Sequence, residues 1–347
     1  MKALLLSKYL NLEIADLPVP QPGPEEVLIR VAACGICGSD VHGYDGSTGR
    51  RIPPIVMGHE AAGVVAALGD AVESVRVGDH VTFDSTVYCG ACDFCRRGQV
   101  NLCDHRQVLG VSCGDYRRAG AFAEYVLVPA RITYRLPDNF SFPEAAMLEA
   151  IAVALHAVAL SEVRAQDTVV VIGAGMIGLL IAQAVRVAGC SRVVVADIDQ
   201  SRLVLAGQLG ITDTVCVSAS DAVARILDHT GGSGADVVIE AVGTNDTVNV
   251  AIDTVRKGGR VTLVGNVSPS LTLPLQKVVA RQILLQGSCA SAGEYPRAIE
   301  LVANGAIQVK PLITAVAPLT EGPAWFERLH AREPNLMKIV LTPGAVP

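Results

Sequence analysis

Aromatic residues are scarce in this sequence: they make up 4% of its 347 residues, although half of the residues are hydrophobic. The core must therefore be built from Val, Ile, Leu and Ala, which is typical of parallel α/β layers with strands buried on both faces. Single cores stop growing at about 250 to 300 residues, so this length allows two domains. The composition predicts a two-domain α/β protein.

Other absences exclude partners. No run rich in Lys or Arg occurs, and 28 basic against 34 acidic residues give a net charge of −6, so we expect no nucleic-acid partner. The N-terminus lacks the length and the cleavage site of a signal peptide, so we expect a cytoplasmic protein. The uncharged stretch 168–185 is long enough to cross a membrane, but its pattern is strand, glycine turn and helix. We therefore expect no membrane partner.

The patterning of the chain changes near residue 150. Before that point, Pro and Gly separate short strand patterns, which predicts an irregular, mostly β domain. From residue 151, apolar helix patterns alternate with Val- and Ile-rich runs, which predicts βαβ units and a doubly wound parallel sheet. After residue 290 the patterns resemble the first part again. We predict a first domain over 1–150 and 290–347 and a second over 151–289.

A glycine fingerprint follows the strand pattern TVVVI and opens a helix pattern, which is the context of a dinucleotide site. Its residues are Gly173, Gly175, Met176, Ile177 and Gly178. The helix N-terminus would supply N–H donors to a pyrophosphate. Nineteen residues further the next strand pattern ends on Asp197, which would bind the adenosine ribose and repel a 2′-phosphate, favouring NAD over NADP. The alternative is that Asp197 caps the next helix, for which Asp199 is the better candidate. We also assign Arg202, Val242 and Gly265 to the NAD site.

Four cysteines lie within fifteen residues at C-x2-C-x2-C-x7-C spacing: Cys89, Cys92, Cys95 and Cys103. In a reducing cytoplasm, clustered cysteines indicate metal before disulfides. Four thiolates close a tetrahedron around zinc and leave no position for substrate, which is typical of a structural site. An iron–sulfur cluster is the alternative.

A second group of ligand-type residues has a different composition. The segment CGICGSDVH supplies Cys34, Cys37, Ser39, Asp40 and His42, and a later segment supplies His59 and Glu60. A Cys, a His and a carboxylate with water in the last position would form an open zinc site able to act as a Lewis acid. The alternative is a redox pair of Cys34 and Cys37.

These motifs in this order resemble the zinc-dependent medium-chain dehydrogenases, in particular the sorbitol (polyol) and threonine dehydrogenase branch. The matching segments are GICGSDVH, GHEAAGVVAALGDAV, the four-cysteine lobe, AFAEYVLVP, GAGMIG with Asp197, and VKPLIT, and they span essentially the whole chain. The resemblance implies a GroES-like catalytic domain, a Rossmann domain and a cleft between them that holds NAD and zinc. We also expect a homodimer or homotetramer.

The resemblance also assigns the ligands of the catalytic zinc. Cys37 and His59 match zinc ligands, and Glu60 matches a carboxylate that binds zinc directly or swings in and out. Simple alcohol dehydrogenases add a second cysteine, but this chain has none between 113 and 190. Glu149 instead matches the glutamate of the sorbitol branch, which lies near zinc and often acts through water. The alternative is that Glu149 is a solvated helix residue.

The implied reaction is the reversible oxidation of a secondary alcohol of a polyol or sugar alcohol to the ketone. Zinc would lower the pKa of the substrate hydroxyl while hydride passes to the nicotinamide. Ser39 would take the hydroxyl proton and pass it through the cofactor ribose toward His42 and solvent. The predicted catalytic residues are Cys37, Ser39, His42, His59, Glu60 and Glu149.

Two departures from the family pattern bear on the substrate. Ala150 stands where the family usually has Pro, and Ala290 and Ser291 stand where sorbitol dehydrogenases carry an Arg-Tyr pair. Sorbitol itself is therefore not the expected substrate. A threonine or amino-alcohol dehydrogenase is the alternative enzyme, and a non-catalytic zinc- and nucleotide-binding protein is the alternative class.

Overall fold

The computed structural model describes residues 1–114, 116–218 and 220–344. The chain divides into two compact units. Unit 1 comprises Met1–Glu149, Tyr295–Ala303 and Leu312–Pro347, and unit 2 comprises Ala150–Glu294 and Asn304–Pro311. The sequence prediction gave residues 150, 290–294 and 304–311 to the first domain, whereas in the structure they belong to unit 2. Gln308 exchanges two hydrogen bonds with the side chain of Gln183, which ties residues 304–311 to unit 2.

Strands and α-helices of the described residues have the following bounds. The strands are β1 (Lys2–Lys8), β2 (Asn11–Asp16), β3 (Glu26–Gly35), β4 (Ile55–Val56), β5 (Glu60–Leu68), β6 (His80–Phe83), β7 (Thr86–Val87), β8 (Gln107–Val108), β9 (Val111–Cys113), β10 (Tyr116–Arg118), β11 (Tyr125–Pro129), β12 (Thr133–Arg135), β13 (Thr168–Ile172), β14 (Arg192–Asp197), β15 (Asp213–Cys216), β16 (Ala235–Glu240), β17 (Val255–Leu263), β18 (Leu284–Gly287), β19 (Ile313–Pro318) and β20 (Lys338–Thr342). The helices are α1 (Gly38–Tyr44), α2 (Asp93–Arg96), α3 (Phe142–Ala145), α4 (Leu148–Leu160), α5 (Met176–Val187), α6 (Gln200–Gln208), α7 (Ala222–His229), α8 (Asn245–Thr254), α9 (Leu275–Ala280), α10 (Tyr295–Ala303) and α11 (Gly322–His330).

Unit 2 is built on a parallel sheet. Its described strands are hydrogen-bonded in the order β15-β14-β13-β16-β17-β18, and every pair is parallel. The strand order reverses between β13 and β16, which is the place where doubly wound sheets bind dinucleotides. Val170, Val194 and Val238 lie in its core, as expected for strands covered on both faces. The predicted parallel α/β unit is confirmed.

Unit 1 is mostly β. Its largest described sheet runs β12-β6-β5-β3-β20-β19, and β11 also pairs with β3. All of these pairs are antiparallel except the parallel pair of β19 and β20. The segment after residue 311 therefore adds strands to the sheet formed by the first part of the chain. Phe83, Phe122 and Phe326 are among its few buried aromatic residues.

One helical stretch, Phe142–Leu160, is long and apolar enough to cross a membrane by length and composition. Of its most apolar window, 61% is buried inside the protein, which is typical of a core helix. The uncharged stretch 168–185 forms β13, a glycine turn and most of α5, as its pattern predicts.

Candidate active site and metal centres

Three ligand-type side chains come together in unit 1. The Cys37 sulfur, a ring nitrogen of His59 and a carboxylate oxygen of Glu60 lie within 4.8 Å of one another. Thiol, imidazole and carboxylate are zinc ligands, and three protein ligands leave one coordination position open. The buried Glu60 Oε1 lacks a hydrogen-bond partner in the described structure, as expected of an oxygen that is free to bind a metal. The residues therefore fit a metal ion.

Strand pairing explains why these residues meet. Gly35, at the end of β3, pairs with Glu60, at the start of β5. Cys37 follows Gly35 as the residue that precedes α1. A Cβ atom on Gly35 would lie 2.5 Å from Glu60 Oε2, so a glycine is needed to make room for that carboxylate.

A third strand adds a buried cation that sequence analysis missed. Lys338 begins β20, and its ammonium donates to Glu60 Oε2 at 2.5 Å and to the Ile36 carbonyl at 3.0 Å. Burial lowers the pKa of Lys338, but the charges of Glu60 and Cys37 outweigh this effect and raise the pKa above its ordinary value. Lys338 therefore stays charged and neutralises Glu60. A separation of 278 residues leaves no local sequence signal for this pair.

Asp40, on α1, contacts two of the ligand residues, His59 and Cys37. Its Oδ1 lies 3.3 Å from His59 Nδ1, although the two are not aligned as a hydrogen bond. Its Oδ2 accepts the backbone N–H of Cys37 at 3.2 Å. Burial would raise the pKa of Asp40, but His59 and the Arg51 guanidinium lower it to about 2. Asp40 is thus a carboxylate of the kind that orients metal-binding imidazoles.

Glu149, near the start of α4, is half-buried and does not belong to the group of mutually close ligand atoms. The pKa of Glu149 nevertheless depends on the charges of His59 and Glu60, which belong to that group. Burial raises the pKa of Glu149 to about 7, with His59 opposing the rise and Glu60 adding to it. Its role as a further zinc ligand, directly or through water, stays a prediction.

The two predicted proton-relay residues lie on α1. Ser39 Oγ accepts a hydrogen bond from the Arg51 guanidinium at 3.0 Å. Among the described hydrogen bonds none joins Ser39 to His42, whose carbonyl oxygen accepts the Ser47 hydroxyl at 3.0 Å. Proton transfer between Ser39 and His42 stays a prediction.

The four-cysteine lobe has the geometry of a closed metal site. Zinc–sulfur bonds of about 2.3 Å place the sulfurs of a tetrahedron roughly 3.8 Å apart. The Cys92 and Cys95 sulfurs lie 3.5 Å apart, and those of Cys89 and Cys95 lie 4.0 Å apart. All four sulfurs fall within one group of mutually close ligand atoms. The lobe therefore fits a metal ion whose four coordination positions are all filled by cysteine sulfurs.

Backbone N–H groups prepare the lobe for thiolates. Those of Ala91 and Cys92 point at the Cys89 sulfur at 3.4 and 3.3 Å and lower the pKa of Cys89 to about 6. Burial and the neighbouring sulfurs raise the pKa of Cys95 to about 12. A bound cation is therefore what would allow all four residues to be thiolates together.

The glycine fingerprint forms its predicted turn in unit 2. Gly173 follows β13 with φ of +98°, a left-handed conformation that favours glycine. A Cβ on Gly178 would lie 1.7 Å from the Gly173 carbonyl oxygen, so the third glycine permits the close packing. Gly175 precedes α5, which begins with Met176 and Ile177. The N–H groups at this helix start are available to an anion.

Asp197 lies at the end of β14, next to the fingerprint. Its Oδ2 accepts the Ala174 N–H at 2.6 Å, and its Oδ1 accepts the Asp199 N–H at 2.8 Å. The cap of α6 is Asp199, which accepts the Ser201 N–H, so Asp197 is not needed as a cap. Arg202 lies 3.9 Å from Asp197 Oδ2.

Val242 and Gly265 lie against the same turn. A Cβ on Gly173 would be 2.6 Å from Val242 Cγ2, and one on Gly265 would be 2.2 Å from the Val242 backbone. The buried side chain of Glu240 accepts the N–H groups of Val242 and Gly243 and shapes this loop. Sequence analysis missed Glu240, because its pattern is that of an ordinary strand end.

Comparison with known proteins identifies the class. Residues 23–138 match the alcohol dehydrogenase GroES-like domain, and residues 177–304 match the zinc-binding dehydrogenase model. The chain is 33% identical to a sorbitol dehydrogenase of Bacillus subtilis (strain 168), over 99% of this chain and 98% of that protein. The chain therefore belongs to the zinc-dependent medium-chain dehydrogenase family, in its polyol dehydrogenase branch, as its motifs predict.

Solved structures agree with this assignment. A Sinorhizobium meliloti 1021 protein bound to NADP is 34% identical and has a TM-score of 0.90, with 99% of each chain covered. The 2R,3R-butanediol dehydrogenase of Bacillus subtilis is 29% identical and has a TM-score of 0.87, again with 99% of each chain covered. The predicted combination of a GroES-like domain and a Rossmann domain is confirmed.

Proposed function

We propose that this protein oxidises a secondary alcohol of a polyol or sugar alcohol to the ketone, using zinc and NAD. The observation that carries the proposal is the convergence of Cys37, His59 and Glu60 on one point in unit 1. Bound zinc would act there as a Lewis acid that lowers the pKa of a substrate hydroxyl. Ser39 would accept the hydroxyl proton, and Asp40 would hold His59 in place.

The donor set favours substrates with two adjacent oxygens. Only one of its ligands is a thiolate, and Lys338 already neutralises the carboxylate of Glu60. Less negative charge then reaches the metal than from a set with two thiolates, so the metal has more affinity for substrate oxygens. A vicinal diol offers two such oxygens, which zinc can accept by expanding from four to five ligands, whereas a primary monoalcohol offers one.

The test is a substrate panel with the zinc-loaded protein, following NADH absorbance. We expect diols and polyols to exceed primary monoalcohols in kcat/KM by at least about tenfold, which is roughly 1.4 kcal/mol. Amino alcohols in the same panel test the alternative enzyme. Equal rates with butanol would contradict the preference, and no NADH from any alcohol would contradict the enzyme.

Asp197 supports NAD as the cofactor. Its carboxylate, 7% exposed at the end of β14, would repel the 2′-phosphate of NADP. Asp197→Ala should raise the KM for NAD and reduce the preference for NAD over NADP, as measured by kcat/KM with each cofactor. Asp199→Ala is the matched control, since it removes the cap of α6 and an exposed contact with Arg202 at 3.6 Å but leaves the carboxylate of Asp197 in place. An unchanged preference in Asp197→Ala would exclude this role.

The lobe supports a structural zinc and a reducing location. Its Cys89 is exposed, so the thiol would be oxidised readily outside the cytoplasm. We therefore propose a cytoplasmic protein with two zinc ions per chain, one in the lobe and one at Cys37, His59 and Glu60. Metal analysis of the purified protein should give a ratio of two.

Unit 2 leaves an apolar edge that a second copy of the chain could cover. Strand β18 is the last in the described order of the parallel sheet and exposes Leu284, and α9 exposes Leu275 and Val279. Unpaired sheet edges with apolar residues favour association. We propose a homodimer or homotetramer of the 36.2 kDa chain, measurable by light scattering and weakened by Val279→Glu. A wild-type monomer would contradict this.

A further inference from the structure

A second buried cation lies beside the ligand set. Arg51 is 5% exposed, and one of its guanidinium nitrogens donates to Ser39 Oγ at 3.0 Å and to Asp40 Oδ1 at 3.1 Å. Arg51 comes from the segment between α1 and β4, whereas both acceptors lie on α1. The aliphatic part of its side chain packs on Gly43 of α1, where an added Cβ would lie 2.5 Å from Arg51 Cδ.

We propose that Arg51 is a positioning residue that holds the proton-accepting Ser39 and the supporting carboxylate of Asp40 in one fixed arrangement beside the metal ligands. The proposal rests on the proposed function for the role of Ser39, but its effect on metal binding can be measured without turnover.

The first link runs through Asp40. Its Oδ1 contacts both the Arg51 guanidinium and the ring of His59, while its Oδ2 is held by the Cys37 backbone. Because Asp40 is completely buried, no solvent can replace Arg51 as its partner. Without Arg51 the carboxylate would turn toward the remaining donors, and the orientation of His59 would be less well fixed. Loss of a group that directly contacts a metal-binding imidazole typically lowers metal affinity about 10- to 100-fold, and Arg51 acts one contact further out, so we expect the lower end of this range.

The second link runs through Ser39. A guanidinium can only donate, so the hydrogen bond from Arg51 always occupies a lone pair of Ser39 Oγ. The hydroxyl hydrogen of Ser39 is then directed away from Arg51, and one lone pair remains to accept a substrate proton. The positive charge also stabilises negative charge that develops on an oxygen next to Ser39. Arg51 thereby orients the first group of the proton path.

The planar guanidinium matters as well as its charge. One of its terminal nitrogens reaches both acceptors while its stem packs against Gly43. The ammonium of a lysine ends one atom short of this nitrogen on a flexible stem, so a lysine would not hold both acceptors in the same relative positions.

The experiment compares Arg51→Met, Arg51→Lys and Gly43→Ala with wild type. Gly43→Ala keeps every hydrogen-bonding group and displaces only the Arg51 stem. The control is Arg135→Met, which removes an exposed guanidinium paired with Asp79 at 3.1 Å in the same unit. Zinc release to a chromogenic chelator is followed in zinc-loaded protein, and the lobe zinc serves as an internal reference because its ligands are unchanged.

We expect Arg51→Met to release the active-site zinc about tenfold faster, with the lobe phase unchanged. Its kcat on a diol should fall about tenfold or more, and the solvent deuterium isotope effect on kcat should rise because proton transfer becomes slower. Arg51→Lys and Gly43→Ala should fall between Arg51→Met and wild type in both measurements. Arg135→Met should match wild type. A purely structural loss would reduce the fraction of active protein without changing the release rate or the isotope effect.

Three results would overturn the proposal. They are wild-type zinc release and turnover in Arg51→Met, full recovery in Arg51→Lys, and wild-type behaviour of Gly43→Ala. If the wild-type protein oxidises no alcohol, the proposed function fails, whereas the zinc-release comparison still decides the link from Arg51 to His59.

Discussion

The two candidate metal sites of unit 1 are built in opposite ways. The lobe takes four sulfurs from a short stretch of chain around α2, and Cys89 is exposed. The active-site group takes its ligands from the ends of β3 and β5, and Lys338 of β20 supports it. Sheet pairing holds the second site in place with or without metal, whereas little except metal can hold the first. We expect the metal in the lobe to stabilise the fold and the metal in the active-site group to take part in the reaction.

The largest effect should come from breaking the lobe. Cys95→Ser removes one thiolate, and structural zinc binding is worth on the order of 10 kcal/mol in small peptides. We expect the variant to lose one zinc per chain and to unfold or dissociate at clearly lower temperature, as measured by metal analysis and thermal melting. The active-site zinc should remain in whatever protein stays folded.

A matched control is Cys113→Ser, which replaces a half-buried thiol of unit 1 outside the lobe. It should keep both metals and the stability of wild type. A wild-type protein with one zinc, together with unchanged stability of Cys95→Ser, would refute the structural role of the lobe.

Lys338→Met tests the active-site group. It leaves the buried Glu60 without its cation, and removing one partner of a buried ion pair costs about 3 to 5 kcal/mol. Zinc can replace that charge, so the loss in unfolding free energy should be large after the active-site metal is removed and small when it is bound. Denaturant unfolding of both forms measures the difference.

Lys2→Met is the control for this variant, since Lys2 forms an exposed pair with Asp16 at 2.7 Å. Exposed pairs contribute about 0 to 1 kcal/mol, so its effect should be small in both forms. Equal destabilisation of Lys338→Met with and without metal would show that Lys338 acts on the fold alone.

The same contrast explains what sequence analysis could reach. The four cysteines, the glycine fingerprint and Asp197 are close in sequence, and their spacing reflects one turn or one βαβ unit. Cys37 and His59 could be grouped by residue type alone, and the family resemblance was needed to single them out as ligands, because only the pairing of β3 with β5 brings them together. The parallel sheet was likewise predictable, because its alternating apolar patterns are local.

The supporting residues could not be predicted for a physical reason. Lys338 and Arg51 look like surface cations in the sequence, and Lys and Arg are almost never fully buried unless they are paired. Their partners Glu60 and Asp40 become neighbours only after the strands pair and α1 packs. The sequence prediction for residues 304–311 missed a similar nonlocal contact, the one between Gln183 and Gln308.

Glu149→Ala sharpens the assignment of the active site. If Glu149 takes part in proton transfer or holds a water near the metal, its loss should lower kcat on diols about 100-fold, or roughly 2.7 kcal/mol. Zinc should be largely retained through Cys37, His59 and Glu60. Steady-state kinetics and metal analysis of the same preparation measure both. Glu144→Ala is the control, since Glu144 is a half-buried carboxylate on α3. Full activity of Glu149→Ala would show that Glu149 is only a structural residue of α4.

The smallest expected difference concerns how each metal is lost. A chelator such as dipicolinate can enter the open position of a three-ligand site, whereas a closed four-thiolate site must first lose a ligand. A thiol-alkylating reagent should act the other way, since Cys89 is exposed and its pKa is lowered to about 6, while the single thiol of the active-site group, Cys37, is half-buried. We expect dipicolinate to abolish turnover at least about tenfold faster than it lowers thermal stability, which corresponds to about 1.4 kcal/mol in activation free energy. Alkylation should reverse that order. If both reagents remove both metals at equal rates, the two sites do not differ in the way that their construction indicates.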